Sequence, residues 1–357
     1  MPIRYGIVGT GMMGIEHIEN IAQLEGGAVV AVCDPDPVSL DAGVAAVTKT
    51  SGATPEAFED HRALLEAGGC DAVVIATPNH THGEVALDLL ATDVHLLIEK
   101  PLCTTVEECR AVAAAAAAGP PGRVVQVGLE YRFMPPTMAL LAEVRSGSLG
   151  AVRMVSIREH RFPFLSKVGN WNRFNRYTGG TFVEKCCHFF DLMNLIMGDA
   201  PVRVLASAGH DVNHLDESYD DGAPDIIDNG YVIVEYDESR RAMLDLCMFA
   251  EGSKNQQEIS VVGDIAKAEA LVSESVMRIG RRSDWSVEER QIEPAGIAHV
   301  GMHHGSSYLE HVAFAESIRT RRPAQVGIQD GLLAVAVGVA AHRSVETGAA
   351  VMMDEVL

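Results

Sequence analysis

Two rhythms of apolar and polar residues divide the chain. Short apolar, β-branched runs at 3–8, 29–33, 72–76, 94–98 and 124–127 alternate with amphipathic stretches at 14–24, 39–47, 61–67, 83–91 and 106–118. That alternation builds parallel strands joined by helices, and it predicts a doubly wound sheet. The run Gly119-Pro120-Pro121-Gly122 closes the fifth helix. A further strand is expected near 53–58, but Pro55 has no donor for a sheet ladder and points to an edge strand or none.

Beyond about residue 150 the period shortens to two, at 151–159, 202–207, 231–236, 241–248, 258–262 and 266–271. Turn residues Asp237-Glu238-Ser239 and Gly263-Asp264 join neighbouring runs as hairpins, so a mainly antiparallel sheet is expected. One helix, 181–197, interrupts the strands, and two more, 307–320 and 330–347, close the sequence. The acidic segment 209–230 reads as a solvated loop. Together these patterns predict an α/β protein of two domains. The first, 1–127, is the parallel sheet; the second, 128–357, is α+β, with helix 330–347 able to pack back on the first.

Composition narrows the class. A chain of 357 residues, 47% apolar and 22% charged, is globular and exceeds one comfortable core. Its net charge of −21 repels phosphodiester backbones and anionic lipid surfaces, so neither nucleic acid nor membrane is expected as a partner. The longest apolar stretches, 111–118 and 332–341, fall short of the roughly 20 residues that a bilayer demands. Residues 1–4 lead directly into a strand, with no secretory signal expected. Seven irregularly spaced cysteines, two of them adjacent (Cys186 and Cys187), do not make a disulfide scaffold, and a cytoplasmic location is expected.

The first strand runs into Gly9-Thr10-Gly11-Met12-Met13-Gly14, a G-x-G-x-x-G turn that opens a helix. The first glycine permits the turn, the second admits a pyrophosphate to the backbone, and the third lets helix pack on strand. Unpaired N–H groups and the helix dipole favour the phosphate there. Asp34 ends the second strand, twenty residues on, where a carboxylate accepts hydrogen bonds from both ribose hydroxyls. These features predict a Rossmann domain. Asp34 would repel a 2′-phosphate, and Pro35-Asp36-Pro37 supplies no compensating cation, so NAD is expected over NADP. FAD is the competing dinucleotide, and the next motifs favour a dissociable nicotinamide.

Ala76-Thr77-Pro78-Asn79-His80-Thr81-His82 follows the fourth strand and Glu99-Lys100-Pro101 the fifth, both at strand carboxyl ends. With the glycine turn, they resemble the glucose-fructose oxidoreductase / inositol dehydrogenase / MocA family over essentially the whole chain. The resemblance implies a nucleotide domain followed by a sheet domain that carries substrate and oligomer contacts. Its third mark is a helix after a glycine pair, bearing an acid and, four residues later, a histidine. Here that segment begins at Gly179-Gly180 and carries His188, with Glu184 one methylene longer than the customary Asp. Independently of the resemblance, one helix over 181–197 puts Glu184, His188 and Asp191 at i, i+4 and i+7 on one face. Their neighbours are apolar almost all round, and buried ionisable groups require partners or a functional cavity.

The chemistry implied is reversible hydride transfer between a secondary alcohol and nicotinamide. His188 would be the general base. Lys100, placed by its motif beside the nicotinamide, would hold the hydroxyl, stabilise alkoxide and favour neutral His188, while Glu184 orients Lys100 or substrate. Thr77, Pro78, Asn79, His80, Glu99 and Lys100 join the glycine turn and Asp34 as expected cofactor contacts; Asn79 could instead cap a helix. Trp171, Asn172 and Asn175 offer an aromatic face and amides suited to a polyol or sugar, the alternative being an asparagine-rich turn with a packed tryptophan. Tyr131 and Arg132 are further candidate contacts, although Arg132 could equally pair with a carboxylate. No metal is expected, since neither Cys186-Cys187-His188 nor His303-His304 has closed zinc spacing. The leading expectation is an NAD-dependent dehydrogenase or ketoreductase acting on a cyclic polyol or sugar, inositol-like first, in a homodimer or homotetramer. An NAD-dependent glycoside hydrolase and a non-catalytic NAD-sensing regulator are the alternatives.

Overall fold

A computed structural model describes residues 2–237 and 239–357. It divides into two compact units, Met1–Glu130 with Lys167–Trp171 and Gly296–Val335, and Tyr131–Ser166 with Asn172–Ala295 and Ala336–Leu357.

In the first unit, β1 (Ile3–Val8), β2 (Gly27–Cys33), β3 (Glu56–Phe58), β4 (Ala72–Ile75), β5 (His95–Glu99) and β6 (Val125–Gly128) form one parallel sheet. Its order, β3-β2-β1-β4-β5-β6, is the doubly wound one expected from the alternating pattern. Helices α1 (Met12–Ala22), α2 (Pro37–Ser51), α3 (His61–Ala67), α4 (His82–Leu90) and α5 (Val106–Ala117) connect successive strands. The weak third strand lies at the sheet edge and starts just after Pro55, so the missing donor falls outside the ladder. Tyr5, Ile7, Ile18, Ile21 and Val74 form the core with Phe314 and Ala315, which a helix far along the chain, Ser306–Thr320, inserts into this unit.

The second unit is built on a nine-stranded sheet: β7 (Val152–His160), β8 (Arg203–Gly209), β9 (Asn229–Glu235), β10 (Arg241–Cys247), β11 (Gln257–Gly263), β12 (Ala266–Leu271), β13 (Val276–Arg281), β14 (Val287–Gln291) and β15 (Val351–Met352). Their order is β14-β13-β12-β11-β7-β10-β9-β8-β15, antiparallel except for the β7–β10 pair. Both expected hairpins form, β9–β10 and β11–β12; in the first turn, Glu238 lies outside the described residues.

Sequence periodicity missed β13, β14 and β15. The first two carry cross-strand charges, Arg278 to Glu289 at 2.8 Å and Arg281 to Glu288 at 3.0 Å, which interrupt the apolar alternation. A helix at Pro135–Ser146 was also missed, despite prolines at its start and Gly147 in the left-handed region at its end. The loop at 209–230 is irregular as expected but tied down. Buried Asp228 accepts backbone N–H bonds from Asp211, Val212 and Asn213, at 2.7–3.2 Å, and these outweigh the burial that would otherwise oppose its ionisation. One face of the sheet is open, with Leu205, Ile233 and Met243 side by side across β8, β9 and β10, and Tyr231 59% exposed. Among the described residues no helix is long and apolar enough to cross a membrane.

Candidate functional site

The turn after β1 takes its shape from its glycines. Gly9 has φ +92°, and a β-carbon there would lie 2.5 Å from the Ala76 carbonyl; one on Gly14 would lie 2.0 Å from the Gly9 oxygen. Around Gly11 nothing lies within 4 Å of that position, and Gly11 gives α1 no side-chain cap. The result is an open approach to the uncapped first amides of a helix, which suits a pyrophosphate. Asp34 is held at the end of β2 by the Thr10 N–H (2.8 Å) and the Asp36 N–H (2.9 Å). The Thr10 hydroxyl adds a third bond at 3.3 Å, and a carboxylate, with about four lone-pair sites, still has room for a ribose hydroxyl.

The loops beyond β4 and β5 meet through His82, which sequence reading did not single out. Its Nδ1 lies 2.8 Å from the Pro101 carbonyl and its Nε2 3.0 Å from that of Thr77, and burial pushes its imidazole below the ordinary range. Pro78 precedes a short 3₁₀ turn, Asn79–Thr81, so Asn79 is inside that turn rather than its cap. Asn79 is buried, and its Nδ2 has no hydrogen-bond partner among the described residues. A buried orphan donor beside the glycine turn's neighbour Thr77 fits a cofactor acceptor. His80 is exposed and edge-on to Trp171, with ring centroids 6.4 Å apart. The uncapped amides, the open space at Gly11, Asp34 and this orphan amide are together a donor and acceptor set that fits NAD.

Glu99 points inward. One oxygen takes His17 Nε2 at 2.9 Å, the other the Lys100 N–H at 3.0 Å, and His17 Nδ1 continues to His311 Nε2 at 2.8 Å. Burial alone would raise the Glu99 carboxyl, but the His17 hydrogen bond and the Lys100 charge outweigh it and hold the group at about 2. Nearby Glu310 has the opposite fate: burial, then the charges of Glu130 and Glu99, push it well above the ordinary carboxylate range. Lys100 itself is half-buried and joined to Pro101 by a cis peptide.

In the second unit, Gly180 (φ +85°) brings the chain against His342, where a β-carbon would lie 2.2 Å from Nε2. That nitrogen accepts the Phe182 N–H at 3.1 Å, and burial lowers His342 to about 4. The expected single helix over 181–197 is broken. Thr181–Glu184 ends at Lys185, where the Thr181 carbonyl accepts from both Lys185 (2.9 Å) and Cys186 (3.2 Å), and a new helix runs Cys187–Met197. Uninterrupted helical spacing therefore does not relate Glu184 to His188 and Asp191; a locally widened turn does.

His188, buried, stacks on Tyr131 with ring centroids 4.2 Å apart and planes 11° from parallel. The Tyr131 hydroxyl accepts from Lys185 Nζ at 2.6 Å, and Gln257 Nε2 is 3.4 Å away. Lys185, only 5% exposed, also sits 3.1 Å from Glu159, itself fully buried. Sequence reading missed this lysine, although the rule that flagged Glu184, an ionisable group in an apolar run, applies equally to its neighbour. Glu184 is buried with His188. Arg132 grips both oxygens of Asp191, Nε to Oδ2 at 2.6 Å and Nη2 to Oδ1, the carboxylate pairing weighed from sequence. Asn172 donates to the Leu165 carbonyl at 2.9 Å, within its own turn, and Asn175 to the Asp225 carbonyl at 2.8 Å, in the loop at 209–230, so both amide nitrogens are engaged by backbone.

Similarity to known proteins agrees with this geometry. Residues 3–129 match a family model described as "Oxidoreductase family, NAD-binding Rossmann fold", and residues 142–353 one described as "Oxidoreductase family, C-terminal alpha/beta domain". The chain is 31% identical over 200 residues to the rhizopine catabolism protein MocA of Rhizobium meliloti, a match covering 56% of this chain and 59% of that protein. It is 25% identical over 359 residues to the scyllo-inositol 2-dehydrogenase (NAD(+)) of Bacillus subtilis (strain 168), covering 99% and 96% respectively. A solved structure of levoglucosan dehydrogenase, in complex with NADH and levoglucosan, shares the fold with a TM-score of 0.85 at 18% identity, over 99% of this chain and 100% of that one.

The buried carboxyls beneath the Lys100 loop carry a stability prediction. Glu310 stays protonated in the fold where the unfolded chain ionises, so its presence costs stability increasingly as pH rises above the ordinary carboxylate value. Glu310→Gln removes that cost. Thermal melts should show the variant gaining on the wild type as pH rises above about 4; a melting difference independent of pH would contradict the assignment.

Proposed function

The chain belongs to the glucose-fructose oxidoreductase / inositol dehydrogenase / MocA family of NAD-binding oxidoreductases, and from that premise we propose that its substrate is a cyclic polyol or sugar, inositol-like compounds first, oxidised at a secondary alcohol. The observation that carries the reading is His188, a buried imidazole stacked on Tyr131, whose hydroxyl takes a bond from Lys185, itself 3.1 Å from Glu159. An apolar core gains nothing from such a set, whereas alcohol oxidation needs a base beside an acid and a cation.

The glycine turn, Asp34, Thr77, Pro78, Asn79 and His80 are the residues assigned to hold NAD, which when bound accepts the hydride from the alcohol carbon. His188 takes the hydroxyl proton and becomes imidazolium while the carbon–oxygen bond becomes a carbonyl. Lys100 holds the hydroxyl oxygen and stabilises its developing negative charge. Glu184 orients the cation or substrate and exchanges protons with the base. In the reverse direction His188 returns the proton to the alkoxide oxygen. Tyr131 and the face of Trp171 are assigned to the apolar side of the sugar ring; Asn172, Asn175 and Arg132 support the walls through the bonds they already make.

Purified protein supplied with NAD and a panel of inositols, aldoses and anhydrosugars should yield NADH with at least one member. Release of an aglycone without net NADH would replace this reading with glycoside cleavage, and tight NAD binding with no turnover on any member would replace it with nucleotide sensing. Lys100→Met should lower kcat by roughly 10²–10³-fold with NAD affinity nearly unchanged; near-normal turnover in that variant would remove Lys100 from the chemistry.

The open sheet face supports a homo-oligomer, and seven irregularly spaced cysteines that make no disulfide scaffold suit a reducing cytoplasm. Leu205, Ile233 and Met243 form an apolar row that a second copy can cover isologously. Ile233→Lys places a charge in that row and should shift the protein to a smaller species in sedimentation; a wild type that already sediments as a monomer would refute the interface.

A further inference from the structure

We infer that Lys185 is a positioning residue for this same oxidation: held between Glu159 and the Tyr131 hydroxyl, it fixes the Tyr131 ring against His188 and favours the unprotonated imidazole that can accept a proton. The inference rests on the reading of His188 as the base.

Its geometry lies wholly within the second unit. Lys185 Nζ donates to the Tyr131 hydroxyl at 2.6 Å, sits 3.1 Å from Glu159 Oε1 and lies 4.8 Å from the Tyr131 ring centroid. That ring in turn stacks on His188 at 4.2 Å. Three elements converge on this chain of contacts: β7 brings Glu159, the turn Glu130–Phe133 brings Tyr131, and the helix break brings Lys185 two residues ahead of the helix that carries His188. The break is itself informative. In a regular helix Lys185 and His188 would follow one uniform spacing, but the shared Thr181 carbonyl widens the turn at Lys185. Such widened turns cost backbone regularity and recur where a side chain has to be aimed.

Packing alone does not explain the lysine. A methionine would fill the same volume beside Phe189 without bringing a charge and its counter-ion out of water, and buried ion pairs of this kind are seldom more stable than apolar replacements. The ammonium has two effects on the base. Its bond to the hydroxyl locks one edge of the stacked ring, which fixes the plane of the imidazole. Its charge also opposes protonation of His188. The two nitrogen-bearing groups are separated by at most about 9 Å, the combined reach of the two ring contacts, and at an effective dielectric constant of about 20 one charge at that range moves an imidazole midpoint by about one pH unit. Other ionisable groups on the elements around His188 are Glu184 in the preceding turn, the Cys186 and Cys187 thiols, Glu130 in the turn that brings Tyr131, Asp191 paired with Arg132, Arg153, Arg158 and His160 on β7, and Arg161, 3.8 Å from Glu159.

The test is a histidine-selective NMR titration of the full-length protein with NAD present, the His188 signal being identified by its loss in His188→Asn, run beside kcat/KM against pH. Lys185→Met should raise the His188 midpoint by up to about one pH unit and move the acid limb of kcat/KM upward with it. Lys185→Arg, which keeps the charge, should retain the wild-type midpoint. Glu159→Gln, which leaves the ammonium uncompensated, should lower it and covers the case in which Lys185→Met fails to fold. An unmoved midpoint in the folded Lys185→Met or Glu159→Gln protein overturns the inference. The titration needs no substrate, so a wild type inactive on every polyol would fail the functional reading while the midpoints still decide the role of Lys185.

Discussion

An ionised carboxylate inside the parallel-sheet domain is the constraint on which the nucleotide site depends. Glu99 divides its two oxygens between His17 on α1 and the backbone amide of Lys100. Unpartnered, such a group would cost several kcal/mol to bury. Because both partners are required, the helix that opens at the glycine turn and the loop that carries Lys100 are held at one separation. His82 adds a second tie, from the Lys100–Pro101 loop to Thr77 beyond β4. The carboxyl edge of the sheet is thus a set of loops fastened to one another from below, leaving Gly11 and Asn79 with room and with an unused donor.

The second domain applies the same physics with a different result. Phe182, Phe189, Phe190 and Leu192 are buried in the same domain as Glu159, Lys185, Asp191 and Glu184, so the Lys185–Glu159 and Arg132–Asp191 pairs act over little intervening water. Arg132 closes on Asp191 with two parallel bonds, a self-contained structural pair. Lys185 is not self-contained, because its contacts lead through Tyr131 to an imidazole. Groups arranged this way give up stability that an all-apolar core would keep, and active sites are where proteins make that exchange.

Much of the architecture was legible along the chain. Period and punctuation located all six parallel strands, the third of them weakly, and both hairpins, since each strand buried on two faces is a continuous apolar run and each hairpin has a turn of its own. Strands β13 and β14 escaped because their pairing relies on cross-strand charges that no periodicity records. The helix break at Lys185 escaped for a related reason: nothing local forbids a helix there, and the Thr181 carbonyl shared by Lys185 and Cys186 appears only in the folded chain, where Gly180 packs on His342, 162 positions away in sequence.

The candidate site divides along the same line. Glycines at 9, 11 and 14, the acid at 34 and the Glu-Lys-Pro run are local necessities of backbone conformation and charge, so the sequence by itself determined the NAD-binding domain. Which carboxylate binds inward to His17, which arginine is consumed by Asp191, and which buried lysine reaches Tyr131 were decided only by tertiary structure. A side chain's ionisation and direction follow from the dielectric and the partners that distant segments place around it, and those are properties of the folded chain alone.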